Sequence, residues 1–449
     1  MKRKIYDKLK EWKKEWNGKA ALLIDGARRV GKSWIVEEFG KNEYKSYVLI
    51  DFNNTQPEIK QLFEDYLSDL DKFFMFLSIY TGVELHTRET LIIFDEVQMY
   101  PKARASIKYL VADGRYDYIE TGSRVSINHN VKDIVIPSEE IRIYMYPMDL
   151  EEFCWATGQK QLFDYVKEVF LTRKNLGQPL HRKMMEALRT YIIIGGMPQA
   201  VESYITEHNL RKVDAIKKSI LALYRNDISK YAGKAAPKIT RIFDNIPGSL
   251  QQHEKRFRPS QIKKGARMKD LESALFWLDE SRVANFCYRT TEPSVGLSLN
   301  KENSKFKLYL LDTGLLVSMA FSEEKDIEGI YKKILLGKLE FNKGMIVENL
   351  VAQLLRSSGN PLYYFSTKSR TDSEERMEID FLIRKPQTTS RHNIIPIEVK
   401  SSNRYTTYSL EKFRKKYKAY IDHCVVLHSG DADEKDDIIY LPLYMAGLL

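Results

Sequence analysis

The stretch Ile24-Asp25-Gly26-Ala27-Arg28-Arg29-Val30-Gly31-Lys32-Ser33 fits the pattern G-x-x-x-x-G-K-[ST]. An apolar run, Ala20-Ala21-Leu22-Leu23-Ile24, precedes it, and Trp34-Ile35-Val36-Glu37-Glu38-Phe39 follows with helical spacing. A buried strand, a glycine-rich loop and a helix are the context in which such a loop cradles phosphate. Its glycines let backbone amides from Gly26, Ala27, Arg28, Arg29, Val30 and Gly31 close around an anion, and the helix N-terminus adds partial positive charge. Lys32 is expected on the β- and γ-phosphates of ATP, and Ser33 on Mg2+.

Strand-like and helix-like segments alternate through the first third of the chain. Tyr47–Asp51, Thr90–Glu96, Tyr118–Ser123 and Ile141–Met145 read as further strands, and residues 57–80 as mostly helical. Thr90–Phe94 is apolar on both faces, as a strand of a covered parallel sheet would be. The fold class is therefore α/β. Asp95-Glu96 closes the central apolar strand. Asp95 is placed to hold Mg2+ and Glu96 to polarise the attacking water as general base. Thr121 and Ser123 end the next strand, where a polar group can sense the γ-phosphate. Arg28, Arg29, Arg124 and Arg142 are all candidates for phosphate contact, with nothing in the sequence to choose among them.

Beyond Pro147 the pattern turns helical, with a break at Gly195-Gly196-Met197-Pro198. Residues 236–320 read as a small module: helices at 238–246, from Pro259 and from Met268, then strands at Asn285–Thr290 and Phe306–Asp312. That order suits a winged helix. Lys263, Lys264, Arg267, Lys269 and Arg282 would give it a basic face for DNA phosphates. The tail opens with a helix at 345–356, followed by strands at 361–365, 377–384, 393–400 and 423–427 and a helix near 408–419.

Within the tail, Met377–Ile383 and Ile394–Lys400 alternate acidic or basic with apolar residues. A symmetric hairpin centred on residue 389 sets Asp380 opposite Glu398, with Lys400 on the same face. Two opposed carboxylates call for a cation. Mg2+ between Asp380 and Glu398, with Lys400 beside it, would be equipped for phosphodiester chemistry.

Gly26–Ser33, Phe94–Gln98, Thr121–Ser123, Tyr146–Phe153, Tyr191–Pro198, Asp270–Glu272 and Phe306–Leu316, together with the tail, resemble the bacterial and archaeal AAA-type ATPases that carry a C-terminal domain of unknown function. The resemblance spans nearly the whole chain. It implies a P-loop AAA+ core over 1–146, a helical lid over 147–235, a winged-helix module over 236–320 and a restriction-endonuclease-like α/β domain over 321–449. In the tail it implies the PD-(D/E)xK arrangement, with Asp380, Glu398 and Lys400 as catalytic residues and Glu348 as an added acidic metal ligand. The residue before Asp380 is Ile379, so the Pro-Asp pair of that motif is missing.

The chain has 449 residues and a net charge of +10, which favours a polyanionic partner such as DNA. Cys154, Cys287 and Cys424 are widely spaced, which argues against a disulfide framework and for a reducing compartment. No apolar run suits a signal peptide or membrane span, so a cytoplasmic location and no membrane partner are expected. The sequence leaves homo-oligomerisation and any protein partner open. Two functions are compatible with it: an ATPase controlling a Mg2+-dependent nuclease, or a nucleotide-switched adaptor or signalling ATPase whose tail does not cut.

Overall fold

The computed structural model describes residues 1–122, 139–252, 254–294, 296–338, 343–367, 375–385, 390, 392–402 and 404–449. Ser123, Arg124 and most of the 385–393 loop lie outside these. The chain divides into two compact units, one of Met1–Tyr146 with Glu280–Arg282, the other of Pro147–Asp279 with Val283–Leu449.

The first unit is built on five parallel strands in the order β2-β3-β4-β1-β5: β1 (Ala21–Asp25), β2 (Ser46–Asp51), β3 (Thr90–Asp95), β4 (Asp117–Gly122) and β5 (Glu140–Tyr144). Every residue of β1, β3 and β4 is buried. That burial explains their near-continuous apolar runs, because a parallel sheet covered on both faces has no solvent face to make polar. Helices α1 (Ile5–Trp16), α2 (Lys32–Glu43), α3 (Pro57–Asp65), α4 (Leu70–Thr81) and α5 (Pro101–Asp113) accompany it. Phe52, Phe63, Phe73, Phe94 and Tyr118 fill the core between sheet and helices. Such a sheet offers its ligand site beyond the carboxyl ends of the strands, and β1, β3 and β4 end there at Asp25, Asp95 and Gly122.

The second unit contains an eight-stranded mixed sheet in the order β12-β13-β11-β10-β9-β8-β6-β7. Its strands are β6 (Ala284–Thr290), β7 (Lys301–Leu310), β8 (Tyr363–Thr367), β9 (Met377–Arg384), β10 (Ile394–Val399), β11 (Cys424–His428), β12 (Asp433–Lys435) and β13 (Ile438–Pro442). The β6–β7 hairpin, expected as the wing of a separate module, is instead one edge of the tail's sheet: Tyr288, Arg289 and Thr290 of β6 pair in parallel with Tyr363, Tyr364 and Phe365 of β8. The winged-helix expectation is corrected in a second respect. Residues 259–261 and 268–270 are single 3-10 turns, and the helix proper runs from Glu272 to Glu280.

The helices over 150–231 are tied into this second unit by buried polar contacts. Asp312 accepts from the Gly196 amide at 2.6 Å and the Leu315 amide at 2.9 Å. Gln353 Nε2 donates to Tyr191 Oη at 2.8 Å. Gly195 and Gly314 pack so closely that a Cβ at Gly314 would lie 2.5 Å from the Gly195 nitrogen. The Gly195-Gly196 break thus lets a helix end against the Asp312 cap. Among the described residues no helix is long and apolar enough to cross a membrane. The three cysteines are free and buried.

Candidate active site

The phosphate loop leaves β1 at Asp25 and enters α2 at Lys32. Two of its glycines are sterically required. A Cβ on Gly26 would meet the Met145 carbonyl oxygen at 2.4 Å, and Gly31 has φ +99°, which L side chains rarely adopt. Lys32 is 5 % exposed and donates to the Gly26 carbonyl at 2.8 Å and the Ala27 carbonyl at 3.0 Å. Its ammonium is folded onto its own loop. Burial pushes its pKa down, opposed by the carboxylates of Glu96, Asp25 and Asp95. An incoming polyphosphate would add counter-charge directly at this lysine.

Ser33 Oγ donates to Asp95 Oδ1 at 2.9 Å, joining the first turn of α2 to the end of β3. A hydroxyl and a carboxylate in contact beside a phosphate loop are the donor set that the Mg2+ of an ATP complex takes, one directly and one through water. Thr121 Oγ1 donates to the same Asp95 oxygen and accepts from the Glu96 amide at 3.3 Å. Of the two polar residues expected near the γ-phosphate, Thr121 is thus placed on both acidic residues, while Ser123 lies outside the described residues. Burial raises the Asp95 carboxyl above its ordinary value, and the hydrogen bonds from Thr121 and Ser33 oppose that rise.

Glu96 has φ +52°, a left-handed conformation uncommon for a residue with a Cβ. It caps the 3-10 turn Val97–Met99, and Gln98 Nε2 donates to its carboxylate. Gln98 is buried and so fixes where that carboxylate points. Arg3 has a comparable role at the loop: its guanidinium donates to the Val30 carbonyl at 2.8 Å and the Tyr146 carbonyl at 2.7 Å. Neither residue is signalled by the phosphate-loop pattern. Gln98 follows Asp95-Glu96 closely enough to have been suspected, whereas Arg3 reads as part of a basic terminus. Arg142 is paired with Glu140 at 3.3 Å, and Arg282, grouped with the first unit, lies 3.9 Å from Asp25.

In the second unit the β9–β10 register runs Arg384↔Ile394, Ile383↔Ile395, Leu382↔Pro396 and Phe381↔Ile397, which is symmetric about residue 389. One step further sets Asp380 opposite Glu398. Asp380 Oδ2 accepts from the Val399 amide at 2.9 Å, and Lys400 pairs with Glu398 at 2.5 Å. Glu348, on the helix Lys343–Ser357, is 2 % exposed and joins the same cluster.

The cluster also holds a residue that sequence reasoning left out. Lys307 of β7 is 1 % exposed, and its Nζ lies 3.1 Å from Glu348, 3.2 Å from Glu378 and 3.5 Å from Asp380. Tyr309 donates to Glu348 Oε1 at 2.5 Å, and Lys255 pairs with Glu348 Oε2. The available signal was Phe306-Lys307-Leu308-Tyr309-Leu310, a lysine inside an apolar strand, which demands a buried partner. Every oxygen of Glu348 and Asp380 faces a protein donor. A Mg2+ ion, which needs several oxygens at about 2.0–2.1 Å, does not fit among them as they stand. Among the described residues no three of His, Cys, Asp and Glu converge as a metal site.

Burial raises Glu348, but the ammoniums of Lys307 and Lys255 outweigh it and hold the carboxyl at about 2, below its ordinary 4.5. A carboxylate depressed in the folded state contributes stability above its unfolded pKa and loses it as pH falls toward the folded one. The 4.5-to-2 window corresponds to about 3 kcal/mol. Acid titration of stability by urea unfolding should show this loss in the wild type and a flatter profile in E348Q.

The β1–loop–α2 unit and the Ser33–Asp95 junction sit at the carboxyl ends of a five-stranded parallel sheet, the arrangement of an α/β phosphate-loop site. Residues 18–154 match the family model of the AAA domain. Residues 185–326 match Domain of unknown function (DUF8612), and residues 343–445 match Domain of unknown function (DUF4143). No curated protein sequence matches the chain. Among solved structures, the Walker-type ATPase PABY2304 of Pyrococcus abyssi is similar at 17% identity and a TM-score of 0.38, covering 70% of this chain and 94% of its own. Drosophila ORC bound to DNA is similar at 12% identity and a TM-score of 0.28, covering 68% and 91%. AMPPCP-bound DnaA from Aquifex aeolicus is similar at 11% identity and a TM-score of 0.26, covering 63% and 90%.

Proposed function

We propose that this chain binds and hydrolyses ATP at the Gly26–Ser33 loop, binds DNA, and relays its nucleotide state to a nuclease-like tail. The observation that carries the reading is the junction of Ser33, Asp95 and Thr121 at the carboxyl ends of β3 and β4, beside the buried Lys32. In this reading Lys32 neutralises the β- and γ-phosphates, and Ser33 and Asp95 receive the Mg2+ that arrives with ATP. Glu96, aimed by Gln98, takes a proton from the attacking water, and Thr121 holds Asp95 and Glu96 in register. Residues 1–146 serve as the ATPase core, 147–235 as a lid, and 321–449 as the main part of the nuclease-like tail. Phosphate release from the full chain with MgATP, with and without DNA, tests this, and a chain with no turnover in either condition overturns it.

DNA binding is supported by the charge of +10 and by Lys263, Lys264, Arg267 and Lys269, all exposed around the two 3-10 turns. Replacing these four by alanine should flatten the slope of log K against log[salt] by roughly 0.9 for each DNA phosphate that is no longer neutralised. An unchanged slope in a filter-binding series would move the DNA surface elsewhere.

A second reading, a nucleotide-switched adaptor whose tail does not cut, is favoured by one observation: Lys307 lies among the carboxylates that a nuclease would give to metal.

A further inference from the structure

The surroundings of Lys307 are built for an ammonium ion. Its nitrogen faces one oxygen each from Glu348, Glu378 and Asp380 at 3.1, 3.2 and 3.5 Å, an acceptor for each of its three protons. The ring of Tyr364 lies 5.2 Å from the same nitrogen, a distance suited to cation–π attraction. Lys307 is itself 1 % exposed, and Tyr309, two residues on along the same face of β7, is fully buried. A lone ammonium at this depth would be costly to desolvate, and opposed carboxylates would repel one another, so each group stabilises the other.

The other oxygens of Glu348 and Asp380 are engaged as well. Glu348 Oε1 also accepts from Tyr309, and Glu348 Oε2 pairs with Lys255. Asp380 Oδ2 accepts from the Val399 amide, and Glu398 pairs with Lys400. A divalent ion bridging Glu348 and Asp380 would have to occupy the position of the Lys307 nitrogen. The strand that supplies this lysine is β7, outside the segment that carries the other members, so the cation is delivered by the sheet's edge hairpin.

We infer that Lys307 is the resident cation of the tail's acidic cluster and stands in place of a divalent metal, so that the folded tail keeps a nuclease-like arrangement without loading Mg2+. The inference rests on the nuclease-like reading of the tail. Its consequence is that removing the ammonium, rather than adding a ligand, should create a metal site.

Titration of the nucleotide-free full chain with Mn2+, with bound ion counted by electron paramagnetic resonance, tests this. The wild type and D380N are expected to bind the same amount of Mn2+. K307A is expected to gain a further ion per chain, lost again in K307A/D380N. K307R keeps the positive charge and should gain none. Mn2+ binding, or Mg2+-dependent DNA nicking, that is present in the wild type and abolished by D380N would overturn the substitution while leaving the nuclease-like reading standing. A folded K307A, judged by circular dichroism, that gains no ion would remove both. If K307A does not fold, the comparison of wild type with D380N decides alone. Metal occupancy is read without ATP, so it stands or falls separately from the phosphate-loop chemistry.

Discussion

Replacing Lys32 by alanine should lower ATP turnover by about 10²–10³-fold, the cost typical of removing one group aimed at transition-state charge. The reason lies in how this side chain is held. Lys32 is buried at the start of α2 with its ammonium on two carbonyls of its own loop, at 2.8 and 3.0 Å. These are neutral partners, and burial already disfavours its charge. A polyphosphate in the loop turns a poorly compensated cation into a paired one, so attraction to phosphate charge is largest where that charge is most concentrated. K32A removes it and leaves the Gly26 and Gly31 geometry in place. K32R should not rescue, because a planar fork cannot replace a point charge fitted to this enclosure. Steady-state phosphate release is the measurement, with thermal unfolding as the control. A folded K32A that turns over ATP at the wild-type rate would remove Lys32 from the chemistry.

Glu96→Gln should show a different pattern: ATP still bound, hydrolysis slowed by about 10²–10⁴-fold, the range of a lost general base. Glu96 is held at two points, its carboxylate by Gln98 and its amide by Thr121. Its left-handed backbone, φ +52°, is a cost that the surrounding contacts sustain, and it directs the carboxylate out of the strand line. Glutamine preserves the shape but cannot accept a proton. Single-turnover hydrolysis alongside filter binding of labelled ATP separates the two effects. Equal losses of binding and turnover would instead make Glu96 part of the binding surface.

Much of this site was legible because it is local. The loop, the apolar strand before it and Asp95-Glu96 each fall within a few residues, and the strands of the parallel sheet declare themselves by burial on both faces. The β9–β10 register was also legible, since a hairpin's pairing follows from its own midpoint. The error at 236–320 had a physical origin. Hairpin β6–β7 is recognisable locally, but its attachment is a parallel pairing to β8 across a long stretch of chain, and no periodicity within either strand encodes that partner. Once the hairpin was set in a different module, Lys307 and Tyr309 had no route to Glu348 and Asp380. Arg3 escaped for a similar reason: its acceptors are the backbone carbonyls of Val30 and Tyr146, and any residue type offers a carbonyl.

The parallel seam between β6 and β8 also bears on how such a chain can be inherited. The two matched segments of unknown function end and begin at residues 326 and 343, so a recombination junction there would look harmless. The seam says otherwise. A tail grafted onto another ATPase from residue 343 would leave β8 as a bare sheet edge, prone to pairing with other chains. It would also carry Glu348, Glu378 and Asp380 without the ammonium supplied by β7. The hairpin and the tail have to travel together, because a break between them would damage both edge and charge at once.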